Sequence, residues 1–163
     1  MVEITFRPAR DDDAESLIAM VDGCYREYPG CVLLVDEEEP ELNTPASTFA
    51  GWGGRFWVAE GDSGRIVASG GVAPAEAKGE YKIHKVYIAK DHRRRGLASQ
   101  ICALIEDWAG SQGADTMVLY TDTRFIEAQA LYERLGYTRD LTKTRELGDA
   151  SNTVEYFYLK SLR

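Results

Sequence analysis

The chain has 163 residues, of which 44% are hydrophobic, and this is enough apolar material for one core in a single domain spanning residues 1–163. Its formal net charge of −8 argues against nucleic-acid binding, because nucleic-acid-binding proteins present a basic face that neutralises phosphates. Its three cysteines, Cys24, Cys31 and Cys102, lack CxxC spacing, so the composition favours neither a disulfide framework nor a metal site.

The N-terminal stretch "MVEITFRPARDDDAESL" has no apolar segment behind a basic start, and no window of the chain approaches the roughly 18 apolar residues of a membrane span. We therefore expect a cytoplasmic protein without a membrane partner. Val2, Ile4 and Phe6 alternate as in a half-buried strand. The carboxylates of "RDDD" are expected to cap the helix that follows. The apolar face of that helix carries Ala14, Leu17, Ile18, Val21 and Tyr25.

The middle of the chain changes from an irregular region to strands. Residues 29–54 contain Pro29, Pro40 and Pro45 and an acidic run from Asp36 to Glu39, and they predict a long loop with room for one short helical turn. The segments "RFWVAE" and "RIVASGGV" flank "GDSG", which is typical of a hairpin. The segment "EYKIHKVYIA" predicts a further strand.

The second half of the chain alternates helices and strands. An amphipathic helix is predicted from Gly96 to near "SQGA", and its apolar residues are Leu97, Ile101, Leu104, Ile105 and Trp108. A buried strand, "TMVLYT", precedes a second helix, "RFIEAQALYERLGY", which ends at Gly136. The apolar stripe of this helix comprises Ala128, Leu131, Tyr132 and Leu135. With a last strand at "TVEYFYLKSL", the order predicts a mixed sheet with a βαβ crossover.

A cluster of three arginines, in "DHRRRGLASQ", lies between a strand and the start of a helix. A helix N-terminus presents unpaired N–H groups and a partial positive charge, which together favour an anion. Gly96 would let the backbone approach that anion closely. The cluster therefore predicts a phosphate or pyrophosphate site, although it contains neither a P-loop nor a GxGxxG motif. The alternative is a solvated helix start that binds nothing.

The segment "VYIAKDHRRRGLAS" resembles motif A of the GNAT family of N-acetyltransferases, whose pattern (Q/R)-x-x-G-x-(G/A) is met by Arg93, Gly96 and Ala98. The segment "ALYERLGY" resembles motif B of the same family. The likeness covers nearly the whole chain except residues 29–54. It implies an α/β (α+β) fold, with a mixed, mostly antiparallel central sheet of about six to seven strands flanked by about four helices.

The resemblance implies that the chain binds acetyl-coenzyme A (acetyl-CoA) as a cosubstrate. The backbone of Val86, Tyr87 and Ile88 would pair with the pantetheine arm. The pyrophosphate would lie against the loop formed by Arg93, Arg94, Arg95, Gly96, Leu97, Ala98 and Ser99. Phe125 and Ala128 are the other coenzyme contacts expected, and Phe125 stands where the family frequently has asparagine.

Tyr132 matches the tyrosine of motif B, which implies a place near the coenzyme sulfur. A phenol there can donate a proton to the departing thiolate. The alternative is a core aromatic residue on the helix stripe with Leu131 and Leu135.

The glutamates that serve as general bases in some family members have no counterpart here, because Lys82 and Tyr120 occupy their positions. Period-2 alternation places His84 on one strand face with Lys82, Val86 and Ile88. His84 could take the proton of an acceptor directly or through water, with Glu80 behind it. The alternatives are a structural histidine and an acceptor amine that arrives already neutral.

The resemblance implies direct transfer of the acetyl group to a primary amine in a ternary complex, with the oxyanion stabilised by a backbone N–H between Val86 and Ile88. Carboxylates in the region before the hairpin would attract a cationic amine, unless they form only a solvated loop. A small cationic amine, a peptide N-terminus and a lysine all remain open as acceptors, as does a homodimer. No metal is implied. The alternatives are a non-catalytic CoA-binding sensor and a protein-interaction module.

Overall fold

The computed structural model describes residues 3–163, in which seven strands form one sheet. The strands are β1 (Thr5–Pro8), β2 (Arg55–Glu60), β3 (Ile66–Pro74), β4 (Glu80–Ile88), β5 (Thr116–Asp122), β6 (Thr138–Glu146) and β7 (Val154–Ser161). Their order is β1-β2-β3-β4-β5-β7-β6, and in the described part of the chain only β4 and β5 are parallel neighbours. The predicted mixed, mostly antiparallel sheet is confirmed. Val2, which the sequence places in the first strand, lies outside the described residues.

The helices are α1 (Ala14–Tyr25), α2 (Val35–Glu38), α3 (Pro45–Gly51), α4 (Leu97–Ser111) and α5 (Ile126–Arg134). Two adjacent glycines of β3 show how they cover the sheet. A Cβ on Gly70 would lie 2.3 Å from Cγ2 of Ile101 in α4, and a Cβ on Gly71 would lie 2.8 Å from Cε1 of Phe49 in α3. Helices α4 and α3 therefore pack closely on opposite faces of the sheet.

Within residues 3–163, no helix combines the length and the apolar character that a bilayer crossing requires.

Strands β4 and β5 pair only at one end. The parallel register joins Glu80, Tyr81 and Lys82 to Thr116, Met117 and Val118, although β4 continues to Ile88 and β5 to Asp122. Beyond these three pairs the two strands diverge. The sheet therefore contains a gap in its interior, between two strands that are each paired on their other side.

A β-bulge interrupts β4 beside this gap. His84 lies opposite Gly71 and Tyr87 lies opposite Ser69, so Lys85 and Val86 both stand against Gly70. Lys85 takes a left-handed conformation, with φ of 55°. An extra residue shifts the alternation of side chains by one.

The expectation that Lys82, His84, Val86 and Ile88 share one face is therefore wrong beyond His84. The imidazole of His84 packs near Phe49 of α3, whereas Cγ2 of Val86 lies near Gly70 on the α4 face. Ile88 is paired with Ala68, two residues before Gly70, so it shares the face of Val86. Regular alternation could not predict this, because the bulge depends on the pairing with β3.

The carboxylates of "RDDD" do not cap α1. Residues Asp11–Asp13 form a short 3₁₀ turn, and the residue at the start of α1, Asp13, makes no side-chain capping bond. Asp13 instead accepts hydrogen bonds from Arg7 and from the backbone N–H of Arg10. Asp11 accepts the backbone N–H of Ser47 at 2.9 Å, in the first turn of α3. These carboxylates therefore connect separate elements.

The predicted long loop over residues 29–54 contains more regular structure than expected. It holds α2, a 3₁₀ turn at Pro40–Asn43 and α3. Two of the three prolines lie at the start of a turn or helix, Pro40 in the 3₁₀ turn and Pro45 in α3, where a missing N–H costs nothing. Leu42 and Phe49 are fully buried and fix this region to the core.

Candidate functional site

Two cavities open at the gap between β4 and β5. We call the larger one, of about 540 Å³, the sheet cavity, and the smaller one, of about 390 Å³, the loop cavity. Both are lined by Val86, Tyr87, Phe125, Ala128 and Tyr132. The two cavities therefore meet at residues of β4, of α5 and of the position just before α5.

The loop cavity takes its name from the arginine-rich loop. Six of the seven predicted pyrophosphate contacts line it, namely Arg93, Arg94, Gly96, Leu97, Ala98 and Ser99. Arg95 is exposed and is not part of the lining. Gly96 immediately precedes α4 with φ of 76°, and among the described residues other than its chain neighbours, a Cβ there would have only Nε2 of Gln100 within 4 Å, at 3.9 Å. The backbone at the start of α4 is thus open to a ligand.

Arg93 has a structural partner that the sequence pattern did not suggest. Its two Nη atoms each donate to the carboxylate of Glu27 at 2.6 Å, and its Nε donates to the carbonyl oxygen of Ile88 at 3.1 Å. The Glu27 carboxylate raises the pKa of Arg93 further above its usual range. Arg93 therefore fastens the loop to α1 and to the end of β4. The exposed guanidinium of Arg94 remains beside the cavity.

The edge of β4 that faces the gap carries backbone groups without a strand partner. Among the described residues, pairing with β5 stops at Lys82, so Val86, Tyr87 and Ile88 present this edge to the cavities. An extended, amide-containing ligand can bind such an edge as an additional strand. These three predicted coenzyme contacts are brought together with Phe125 and Ala128 in the same cavity.

Tyr132 lies where the two cavities meet. Only 5% of the residue is exposed, and its ring packs 5.8 Å from that of Tyr137 and 6.2 Å from that of Tyr158. Burial raises its pKa well above the ordinary value, so its hydroxyl keeps its proton at neutral pH. Both interpretations of the sequence, a core aromatic residue and a residue of the site, are compatible with this position.

His84 lines the sheet cavity and packs against two aromatic side chains. Its ring centre lies 5.3 Å from that of Phe49 and 5.7 Å from that of Trp52. Burial, followed by the charges of Lys82 and Lys85, lowers its pKa to about 3. The imidazole is therefore neutral at physiological pH. Glu80, expected behind it, is not among the residues that line the cavity.

A buried ion cluster ties the acidic region to the bulge of β4. Lys85 donates to Glu39 and lies 3.0 Å from Glu41, and Tyr25 donates to Glu39 at 2.8 Å. The hydroxyl of Tyr87 donates to that of Tyr25 at 3.2 Å. Two of the carboxylates expected to attract an amine are therefore already paired. Local sequence holds no signal for this pairing, because Lys85 and Glu39 are 46 residues apart.

The two positions without a family glutamate contact each other. The ammonium of Lys82 lies 5.2 Å from the centre of the Tyr120 ring, and the guanidinium of Arg145 lies 3.4 Å from that centre. Arg145 also pairs with Glu155 at 2.9 Å. The burial of Lys82, followed by the nearby charge of Arg145, lowers its pKa. Within residues 3–163, no group of three or more His, Cys, Asp or Glu side chains is arranged to hold a metal ion.

Comparison with known proteins gives this arrangement a context. The family model described as "Acetyltransferase (GNAT) family" matches residues 13–137. The sequence is 32% identical over 85 residues to a protein of Xenopus tropicalis named "Probable N-acetyltransferase camello", a match that covers 52% of this chain and 38% of that protein. The chain spans 30 to 60% of the length of the curated relatives that it matches.

Solved structures resemble the chain over nearly its whole length. A GNAT-family acetyltransferase from Staphylococcus aureus Mu50 superposes with a TM-score of 0.83 at 19% identity, covering 99% of this chain and all of that one. YncA of Salmonella typhimurium, described as a structure "with its cofactor Acetyl-CoA", superposes with a TM-score of 0.73 at 16% identity, covering 99% and 95% of the two chains. At these identities the likeness establishes the fold.

Proposed function

Because the chain belongs to the acetyltransferase (GNAT) family, we propose that it transfers the acetyl group of acetyl-CoA to a primary amine. The observation that carries the proposal is the meeting of the two cavities at Val86, Tyr87 and Tyr132. One cavity offers a cationic loop at a helix start, which suits a pyrophosphate. The other has a largely different lining and reaches the same point, so that an amine and a thioester can meet in one complex.

The residues of the loop cavity fit acetyl-CoA. The exposed Arg94 and the open backbone from Gly96 to Ser99 would bind the pyrophosphate, while Arg93 keeps the loop in place through Glu27. In the described chain, the edge of β4 from Val86 to Ile88 has no strand partner on the side of the gap, and its backbone groups other than the Ile88 carbonyl, which accepts from Arg93, would bind the amide-containing pantetheine arm. Arg95 lies in the same loop but does not line the cavity, so we assign it only an exposed positive charge.

The chemistry follows from what the groups at the meeting point can donate and accept. The nitrogen of the neutral amine attacks the thioester carbonyl, and a backbone N–H between Val86 and Ile88 stabilises the oxyanion. The carbon–sulfur bond then breaks, and the departing thiolate takes the proton of Tyr132, whose hydroxyl is protonated at neutral pH. The proton that the nitrogen releases passes to water, with the neutral imidazole of His84 as its relay, because a group of such low pKa does not hold the proton itself.

The proposal is tested by following the release of CoA thiol from acetyl-CoA in the presence of individual amines, with mass spectrometry of the products. We expect thiol release that depends on the amine and a product heavier by one acetyl group. Acetyl-CoA without amine is the control. Tight binding of the coenzyme with no amine-dependent release would favour the non-catalytic sensor instead.

We also propose that the protein is cytoplasmic and that it binds no nucleic acid, membrane or metal. Fractionation of cells that produce it would test the location. Sedimentation of the purified chain would test whether it forms a homodimer.

A further inference from the structure

The charged groups of the sheet cavity are unequally matched. Six carboxylates line it, those of Glu38, Glu39, Glu41, Asp122, Asp149 and Glu155, together with three cationic side chains, those of Lys82, Lys85 and Arg145. Each carboxylate has a partner. Four form ion pairs, Glu39 and Glu41 with Lys85, Asp122 with Arg124, and Glu155 with Arg145. The other two accept backbone N–H groups, Glu38 from Ala150 and Asp149 from Thr153.

Lys82 differs from the other two cations. Within residues 3–163, Lys85 and Arg145 lie within 4 Å of a carboxylate, and the ammonium of Lys82 does not. Lys82 is half-buried, and its ammonium lies over the face of Tyr120, with Arg145 near the same ring. A partly desolvated cation beside another cation is costly unless an anion joins it. Lys82 is therefore the position in the sheet cavity at which an anionic group of a ligand can bind.

We infer that the acceptor is an amine that also carries a carboxylate, and that this carboxylate binds Lys82. The inference rests on the proposed function and names the substrate class of that site. Even with Arg124, which pairs with Asp122, four cations face six carboxylates, and this negative balance favours the amino end of the acceptor. The same balance disfavours a dianionic phosphate and leaves a single carboxylate as the anion that Lys82 can hold. Tyr120 and the exposed Trp52 provide apolar surface for the rest of the molecule.

The test compares pairs of acceptors that differ only in the carboxylate. Leucine and phenylalanine are set against isoamylamine and phenethylamine, and γ-aminobutyrate against propylamine, with kcat/KM measured for each. We expect the carboxylate to favour acetylation by about 10- to 100-fold in at least one pair, as for a hydrogen-bonded ion pair in a site that excludes water. Phosphoethanolamine is included, and a preference for it would overturn the assignment of a carboxylate.

Variants of Lys82 connect the preference to that residue. Lys82→Met should remove the preference, mainly through KM, and Lys82→Glu should reverse it. Lys82→Arg should retain it, because arginine also binds a carboxylate. If Lys82 instead acted as the general base, its variants would lose kcat with both members of a pair. Lys143→Met is the matched control, since Lys143 also lies over an aromatic ring, that of Phe157 at 4.6 Å, but is exposed and outside the cavity.

The possible results separate the inference from the function on which it rests. If amines without a carboxylate are acetylated equally well or better by the unmodified chain, the inference is wrong and the acetyltransferase proposal stands. If the preference exists but survives in Lys82→Met, the assignment to Lys82 is wrong. If no amine is acetylated although acetyl-CoA binds, both proposals are overturned. Calorimetric affinity for acetyl-CoA confirms that each variant is folded.

Discussion

At the scale of single residues, the position of Tyr132 fits both of the roles that the sequence presented as alternatives. Its ring packs against Tyr137 and Tyr158, and the residue also lines both cavities at their meeting point. Phenylalanine at this position would keep the ring and its packing and remove only the hydroxyl. The catalytic and structural contributions can therefore be separated by conservative substitution.

We expect Tyr132→Phe to lower kcat by about 10²- to 10⁴-fold, the usual contribution of a general acid, with coenzyme affinity and thermal midpoint nearly unchanged. Steady-state kinetics and thermal unfolding measure the two effects. The matched control is Tyr137→Phe, in the neighbouring ring, whose hydroxyl donates to Glu106 at 2.9 Å and lies outside both cavities. It should keep full activity. A fully active Tyr132→Phe enzyme would remove the general-acid role.

His84 contributes to the pH dependence of stability. Its folded-state pKa of about 3 lies below the unfolded value of about 6.5, so between these two values the unfolded chain binds more protons than the folded one. Stability should therefore fall as the pH falls below about 6.5, and this loss should continue towards pH 3.

Replacing His84 by Gln should remove this part of the acid sensitivity. Between pH 7 and about pH 5.5 the free energy of unfolding should decrease by about 1 kcal/mol more in the unmodified chain than in His84→Gln. Urea unfolding at a series of pH values measures the difference. Between pH 7 and pH 8 the difference should be constant, which serves as the internal control. Parallel curves across the acid range would mean that folding does not lower the pKa of His84.

At the scale of elements, the loop before α4 shows which parts of a site a short motif can predict. The pattern around Gly96 indicated a helix start open to an anion, and the structure has α4 beginning at Leu97 with φ of 76° at Gly96. The pattern could not distinguish the three arginines from one another. Arg93 forms an ion pair with Glu27, which is 66 residues away in the sequence. Arg94 lines the loop cavity, whereas Arg95 does not.

Gly96→Glu should abolish measurable binding of acetyl-CoA, because the new carboxylate would occupy the space proposed for the pyrophosphate. The left-handed conformation at this residue adds a cost of about 1 to 2 kcal/mol to folding. Gly113→Glu is the matched control, since Gly113 also has a positive φ, of 93°, and open space around it, but follows the other end of α4. Calorimetry should show unchanged affinity in the control. Equal affinity in both variants would contradict the placement of the pyrophosphate.

At the scale of the whole molecule, the sequence predicts the architecture better than the site. Alternation and helical periodicity are local properties, and they placed the β2–β3 hairpin, β4, α4, β5 and α5 in the right order. The sequence pattern did not predict strand β6. Its residues, Thr138–Glu146, are mostly exposed and polar, as is common in edge strands, and they lack the alternation of apolar residues that indicates a strand. The bulge at Lys85 and the pairing of Lys85 with Glu39 depend on distant partners, so local pattern could not reveal them.

The three residue pairs between β4 and β5 also determine how the molecule should open. The sheet consists of two halves, β1–β4 and β5–β7, with few hydrogen bonds across the boundary. Without ligand, backbone amides of β4 beyond Lys82 that are not bonded to β3 should exchange their hydrogens with solvent faster than those of β3. If acetyl-CoA binds this edge as proposed, it should slow this exchange and raise the thermal midpoint, because the site exists only in the folded chain.

Hydrogen exchange followed by mass spectrometry, with and without acetyl-CoA, measures this effect, and Gly96→Glu with acetyl-CoA is the control that should show no protection. Unchanged exchange in β4 under saturating acetyl-CoA would place the ligand elsewhere. The expected slowing would mean that the cosubstrate completes the cooperative unit, so that the two half-sheets unfold together when it is bound and can separate locally when it is not.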